Sequence, residues 1–279
     1  MTLTDARQVG VRGKAYISPA NFDKFTYSKR SHFRDFISNG YDEELFRKDV
    51  DPLNCDLKVY QDLFMFTFIK HNIPPRSRIL DIGGGDSRIL RHFRNIHECW
   101  NIDKLEGVGN GPTNIDTSSF RIVYDYMGNF SDELPDNYFD LVFSISTLEH
   151  VPAGEPETYK NIMDDINRVL KPGGFSVHCI DVVLKDEYQW TSDVLPFFFE
   201  NAGVVNKFIP LHALLEDSDL FHMSEKYFER SWKVTTGKSF SQFGRPVSYN
   251  LMWVKDQTAV NMREHSSSKQ NHVNGSPQG

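Results

Sequence analysis

The stretch RILDIGGGDSRIL, residues 78–90, runs from an apolar strand pattern through Gly83, Gly84 and Gly85 into a helical pattern that sets Ile89, Leu90 and Phe93 on one side. Glycines at a strand-to-helix turn let the backbone bend sharply and let a ligand approach where a Cβ would clash. The turn reads as a nucleotide cradle at the carboxyl end of a sheet. About 20 residues further on, the pattern ECWNID ends in Asp103, the position from which an acid reaches a ribose hydroxyl pair in doubly wound folds. A carboxylate suits that task because it accepts two hydrogen bonds at once.

Outward from this turn, short apolar runs alternate with helical segments, the pattern of βαβ units and a largely parallel sheet. Strands are predicted over 78–82, 99–103, 121–124, 139–145 and 175–180, with helices over 86–95 and 157–170. Pro172, Gly173 and Gly174 in LKPGG stop the second helix and allow the reversal into the fifth strand. Beyond Asp181 the order loosens into a helix near 194–202, a strand near 204–209, a helix around 225–232 and a last strand over 248–255. Upstream, residues 21–73 are helical and aromatic, with Leu57, Tyr60, Phe64 and Phe68 at helical spacing and Pro74 and Pro75 as the stop. The division expected is a helical cap over 1–75, the sheet domain over 76–256 and a disordered polar tail over 257–279, which has too little apolar surface to offset the entropy of ordering.

Composition bounds the function. With 279 residues and 39% hydrophobic content, the chain can bury one large core. No stretch has the roughly 18 uninterrupted apolar residues of a membrane span, and MTLTDARQVGVRGKAY lacks an apolar signal core, so a cytoplasmic location is expected. Cys55, Cys99 and Cys179 form neither a CxxC pair nor a zinc cluster with the scattered histidines; they read as reduced and structural, and no metal is expected. The formal charge of -7, with acids and bases interspersed, lacks the basic stripe of a nucleic-acid binder.

Both dinucleotide-dependent dehydrogenases and adenosylmethionine enzymes use a glycine turn with a following acid. The dehydrogenase fingerprint wants GxGxxG, whereas Arg88 here takes the third glycine's place, and Asp86 sets a carboxylate where a pyrophosphate would sit. A cationic, phosphate-free cofactor meets no such repulsion. The series DIGGGDS, NIDKLEG, IVYDYMGNFSDELPDNYFDLVFSISTLEHV and INRVLKPGGFSVHCIDV resembles the successive motifs of the class I S-adenosylmethionine-dependent methyltransferases, over roughly residues 76–181. The family's first motif usually reads D/E-x-G-x-G-x-G; this chain keeps Asp81, Gly83 and Gly85 and has Ser87 for the last glycine.

The resemblance implies an α/β fold, a doubly wound Rossmann-like sheet of seven mostly parallel strands with an antiparallel last strand, and S-adenosylmethionine as cofactor. It implies that Asp81 orients the amino group of the methionine moiety and that the backbone of Gly83, Gly84 and Gly85 lines it. Asp103 would hold the ribose, Lys104 would flank the adenine, Asp125 would accept from the adenine amino group, and Tyr126 would add a backbone contact. Ser144 would face the methionine portion.

Methyl transfer from a sulfonium is an in-line displacement, so alignment and exclusion of water carry most of it, and a base is needed only where the nucleophile has a proton to lose. STLEHV places Glu149 and His150 just past the fourth strand, and His150 is the candidate base, ahead of Asp181, His178 and His222. Aromatic and polar residues mix over 21–33, 186–190 and 217–232, a composition that suits the pocket of a moderately polar small molecule. The expected reaction is methylation of a small-molecule acceptor, an oxygen nucleophile of a metabolite or sugar first. A catalytically silent adenosylmethionine-binding module and an NAD-dependent oxidoreductase stand as the alternatives.

Overall fold

The computed structural model describes residues 22–46, 50–53, 55–107, 111–186 and 188–256. The expected polar tail lies outside them. Seven strands, β1 (Arg78–Ile82), β2 (Glu98–Ile102), β3 (Arg121–Val123), β4 (Phe139–Ile145), β5 (Leu170–Lys185), β6 (Tyr188–Trp190) and β7 (Arg245–Val254), form one sheet. Strands β3-β2-β1-β4-β5 lie side by side and parallel, while β6 and β7 both run antiparallel to β5. The order reverses between β1 and β4. In an open parallel sheet that reversal opens a crevice at the carboxyl ends of the strands.

Helices cover both faces. On one lies α3 (Leu57–Asn72), whose first turn is capped by the Asp56 carboxylate accepting from the Lys58 N–H. Its residues Leu57, Tyr60, Leu63, Phe64, Met65, Phe66, Phe68 and Ile69 are all buried, as a helix apolar on every side must be. They pack in one cluster with Ile79, Leu141, Phe143, Val177 and Met252 of the sheet. The same cluster takes in Phe33 and Phe36 of α1 (Arg30–Ser38), Phe46 of α2 (Glu43–Phe46) and Leu90 of α4 (Arg88–Phe93). The opposite face is covered by α5 (Pro156–Val169), started by a proline at its first position, and by α6 (Val194–Asn201). The short helices α7 (Leu211–Glu216), α8 (Glu225–Arg230), α9 (Trp232–Thr236) and α10 (Phe240–Phe243) complete the chain before β7. Among the described residues no helix is long and apolar enough to cross a membrane.

The outer edge of β7 is closed by the segment that precedes α1. Ser28 N–H donates to Ser248 at 2.7 Å and Asn250 N–H to Thr26 at 2.9 Å, and Phe221 N–H in turn donates to Ser28 at 2.9 Å. Tyr27 pairs Tyr249 and Lys29 pairs Leu220 as isolated bridges.

Three local expectations are corrected. The fifth strand is far longer than 175–180, because β7 pairs with it continuously from Phe175↔Val254 to Leu184↔Arg245. LKPGG is an excursion inside that strand, between the pairs Phe139↔Leu170 and Leu141↔Phe175, with Gly173 in the left-handed region at φ 71°. No strand forms over 204–209, where the Val205 N–H reaches the Met252 carbonyl at 2.9 Å and Phe208 stacks on Tyr249. The sixth strand instead comes from Tyr188–Trp190, folded back on β5 beyond the residues that pair with β4.

Candidate functional site

β1 ends at Ile82 and the chain turns through Gly83 at φ 62° and Gly85 at φ 52°, a conformation that costs an L side chain roughly 1–2 kcal/mol. The glycine turn is held from β2. Asn101, fully buried, accepts from the Gly84 N–H with its Oδ1 at 3.1 Å and donates from Nδ2 to the Gly85 carbonyl at 2.9 Å. Asp103 accepts from the Gly85 N–H at 2.8 Å with one oxygen and from the Leu105 N–H at 2.7 Å with the other. A Cβ at Gly84 would run into the Asp81 carboxyl, and one at Gly83 into Thr147. The glycines are therefore required first by the protein's own close packing around Asp81 and Thr147.

Asp81 lies at the floor of this turn, 3% exposed, and its Oδ1 has no hydrogen-bond partner. Burial pushes its carboxyl up to about 7, against the opposing effects of the Ser87 hydroxyl and the Lys58 ammonium. The neighbouring charges are engaged elsewhere: Arg88 pairs with Asp62 on α3, and Arg91 pairs with Asp86. A ligand reaching the turn thus meets a buried carboxyl with one unpartnered oxygen at its base and the Asp103 carboxylate at its side, a set that favours a cationic amine over a pyrophosphate.

At the ends of β2 and β3 the side chains are exposed. Tyr126 donates from its hydroxyl to Glu106 at 2.6 Å, and the Lys104 ammonium stands 5.8 Å from the Tyr126 ring centre. Asp125 accepts from its neighbour's N–H at 2.8 Å and from Asn129 at 2.6 Å. The Asp103 N–H donates to the Val123 carbonyl at 3.0 Å, which sets Asp103, Lys104, Asp125 and Tyr126 together at one rim.

Ser144 lies elsewhere. Its side chain is fully buried on the α5–α6 face, hydrogen-bonded to His178 Nδ1 at 2.8 Å, and His178 Nε2 meets Ser176 at 2.7 Å. Burial pushes that imidazole down to about 3, so His178 is a neutral core residue, packed against Trp253 and Phe198. His222 sits beside Phe240, its Nδ1 on the Met223 carbonyl at 2.9 Å.

Just past β4 the backbone turns through Ser146 in the left-handed region at φ 55°, and a short 3-10 turn spans Leu148–His150. The Ser146 hydroxyl donates to Asp181 at 2.5 Å, Gln61 Nε2 on α3 donates to the other Asp181 oxygen at 2.6 Å, and Thr147 donates to the Gly83 carbonyl at 3.2 Å. Glu149 is buried against this group, while His150 is exposed at the outer end of the turn. Asn101, Gln61, Lys58 and Ser146 were not among the residues expected at the site. The signal for two of them was present: Asn101 is a polar residue inside the strand ECWNI, and Gln61 with Asp62 interrupts an otherwise apolar helix.

A family model described as a methyltransferase domain matches residues 80–178. The sterol 24-C-methyltransferase of Yarrowia lipolytica is 33% identical over 127 residues, 43% of this chain and 31% of that protein. The glycine/sarcosine/dimethylglycine N-methyltransferase of Actinopolyspora halophila is 33% identical over 111 residues, 38% of this chain and 19% of that protein. A solved phosphoethanolamine N-methyltransferase 2 from Haemonchus contortus, bound to phosphomonomethylethanolamine and S-adenosylhomocysteine, is 14% identical with a TM-score of 0.43, covering 71% of this chain and 52% of that one. The chain spans at most 31% of the length of the curated relatives it matches. Residues 80–178, which span the glycine turn and strands β2 to β4, thus match a methyltransferase domain.

Proposed function

We propose that this chain binds S-adenosylmethionine at the carboxyl ends of β1 and β2 and transfers its methyl group to a small organic acceptor. The observation that carries this reading is the buried Asp81 carboxyl with an unpartnered oxygen beneath the Gly83–Gly85 turn. A cationic amine supplies the charge and the N–H donors that such a group lacks. Asp103 retains lone pairs beyond its two backbone bonds and takes the ribose hydroxyls. Lys104, Asp125 and the exposed Tyr126 flank the adenine.

When bound, the cofactor supplies an electrophilic methyl on a sulfonium. The chain's part is to hold that methyl in line with the acceptor and to keep water away. The turn over 146–150 faces the cofactor side through the Thr147–Gly83 bond, so the acceptor is placed between that turn and α3. His150, exposed at the mouth, is assigned proton exchange with solvent. The named relatives act on a sterol at carbon 24 and on glycine-type nitrogen, and neither lends support to an oxygen acceptor.

Titration calorimetry tests the cofactor. Binding of S-adenosylmethionine and S-adenosylhomocysteine with no heat from NAD is expected; NAD binding without adenosylmethionine binding overturns the reading. Formation of S-adenosylhomocysteine in the presence of acceptor separates an enzyme from a silent binding module.

A further inference from the structure

Glu149 is 5% exposed and neither of its carboxylate oxygens has a hydrogen-bond partner. It stands against Asp181, 8% exposed, whose two oxygens take Gln61 Nε2 and the Ser146 hydroxyl. Gln61 is fully buried, and its Oε1 is also without a partner. That oxygen is an acceptor by assignment, since the same amide's Nε2 is committed to Asp181 and Ser248. Two residues on separate elements thus carry three buried acceptor atoms without donors, and both act on the same carboxyl, Asp181. An unsatisfied buried acceptor costs about 1–3 kcal/mol, and more when charged.

The positive groups nearby do not meet this need. Lys58 directs its ammonium to the Ile145 carbonyl at 3.0 Å, and acts on Glu149 and Asp181 only through space. His150 acts on Asp181 in the same way from the exposed end of the turn. Burial, and then the Asp181 charge, raise the Glu149 carboxyl well above its ordinary value, with its own backbone N–H, the Ser146 hydroxyl and Lys58 opposing. A carboxyl so raised is a stronger base than a free carboxylate.

We infer that Glu149, with Gln61 Oε1 beside it and Asp181 behind it, is the acceptor subsite for a small protonated amine, so that methylation occurs on nitrogen. The inference rests on the function proposed above. An ammonium brings up to three N–H donors and a positive charge to a place with unpaired acceptors and two adjacent buried carboxyls, whose ionised forms it stabilises, whereas a hydroxyl brings one donor and no charge. Glu149 accepts one proton from the ammonium and becomes a neutral acid, leaving a lone pair on nitrogen. The nitrogen then forms a bond to the methyl carbon as the carbon–sulfur bond breaks, its electron pair passing to sulfur, which yields a methylated ammonium and a neutral thioether. Ser146 acts through Asp181, while Gln61 holds Asp181 with its Nε2 and offers its Oε1 to the amine.

The test uses the full chain saturated with S-adenosylhomocysteine, titrated with methylamine, ethanolamine and glycine and with their oxygen counterparts methanol, ethylene glycol and glycolate. At least one amine is expected to bind while its oxygen counterpart does not. Glu149→Gln is expected to weaken that amine by roughly tenfold to a hundredfold, the effect of losing a charged hydrogen bond, with S-adenosylhomocysteine affinity unchanged. Alcohols binding as well as amines, no amine binding at all, or amine affinity indifferent to Glu149→Gln each overturn the inference. Should Glu149→Gln fail to fold, the amine-to-alcohol comparison on the unaltered chain decides alone. Failure of S-adenosylhomocysteine itself to bind refutes the proposed function instead, which keeps the two failures apart.

Discussion

The Asn101 carboxamide grips Gly84 and Gly85 from the neighbouring strand, accepting from the Gly84 N–H at 3.1 Å and donating to the Gly85 carbonyl at 2.9 Å. Because the amide satisfies a donor and an acceptor of the same turn, it fixes the turn's plane relative to β2. Asn101→Ala leaves both backbone groups unpaired in the interior and is expected to cost roughly 2 kcal/mol of stability. Cofactor affinity should fall with it, and Asn101→Asp should restore only the accepting half. Urea denaturation and calorimetry measure the two effects; an unchanged midpoint and affinity would show that the turn holds its shape without the clamp.

Asp103→Ala removes the proposed ribose ligand and also the acceptor for the Gly85 and Leu105 N–H groups. Adenosylmethionine binding is expected to weaken by about tenfold to a hundredfold, corresponding to roughly 1.5–3 kcal/mol. A properly folded variant with the original dissociation constant would place the ribose elsewhere.

Burial raises the Asp81 carboxyl from 3.8 to about 7. Between those values the native chain holds a proton that the unfolded chain has released, so this group's contribution to stability falls as pH rises through that window. Asp81→Asn does not titrate. Above pH ~7 it should be more stable than the unaltered chain by roughly 2–4 kcal/mol, at about 1.36 kcal/mol per unit, with the difference closing toward pH ~4. Its affinity for adenosylmethionine should drop at the same time. Denaturation across that range checks the sign, and a variant that is less stable at neutral pH would mean that the carboxylate has a stabilising partner in the free protein.

Tyr60 is fully buried, with its hydroxyl 2.7 Å from His32 Nδ1 and 3.1 Å from the Asn250 amide, and its ring stacked on Phe221 at 5.3 Å. Tyr60→Phe keeps the stacking and removes the shared hydroxyl. A loss of about 1–3 kcal/mol is expected from the polar groups left unpaired. Thermal melts of the two proteins, with little change in cofactor affinity, would confirm that this network ties α1 and α3 to β7; equal melting temperatures would refute it.

His150→Ala should leave cofactor affinity intact, because the ring is exposed beyond the buried part of the site. If proton exchange at the mouth passes through His150, turnover falls by about 10²-fold and recovers as pH rises. Rates of both proteins across pH ~6–9 decide the matter, and parallel profiles would remove His150 from the reaction.

Local pattern determined much of the molecule. The strand–glycine–helix run over 78–90 and the alternation of apolar runs after it specified the parallel sheet, because backbone conformation and burial periodicity are encoded within a few residues. The places of Asp81, within β1, and of Asp103 and Asp125, just past β2 and β3, followed from the same local pattern. Tertiary structure alone decided which side chains share space. Ser144, at the end of its strand, faces the core and bonds His178, since a period-2 element sends alternate residues to opposite faces and its facing depends on what packs there. The length of β5 was set by its antiparallel partner β7, some 60 residues away in sequence, on the order of many helix lengths beyond any local signal. Gln61 and Glu149 come from a helix and a turn far apart in the chain, and both act on Asp181 only because α3 packs on the face of the sheet that β4 and β5 share. Contacts of that kind arise from packing between distant segments, and sequence periodicity carries no record of them.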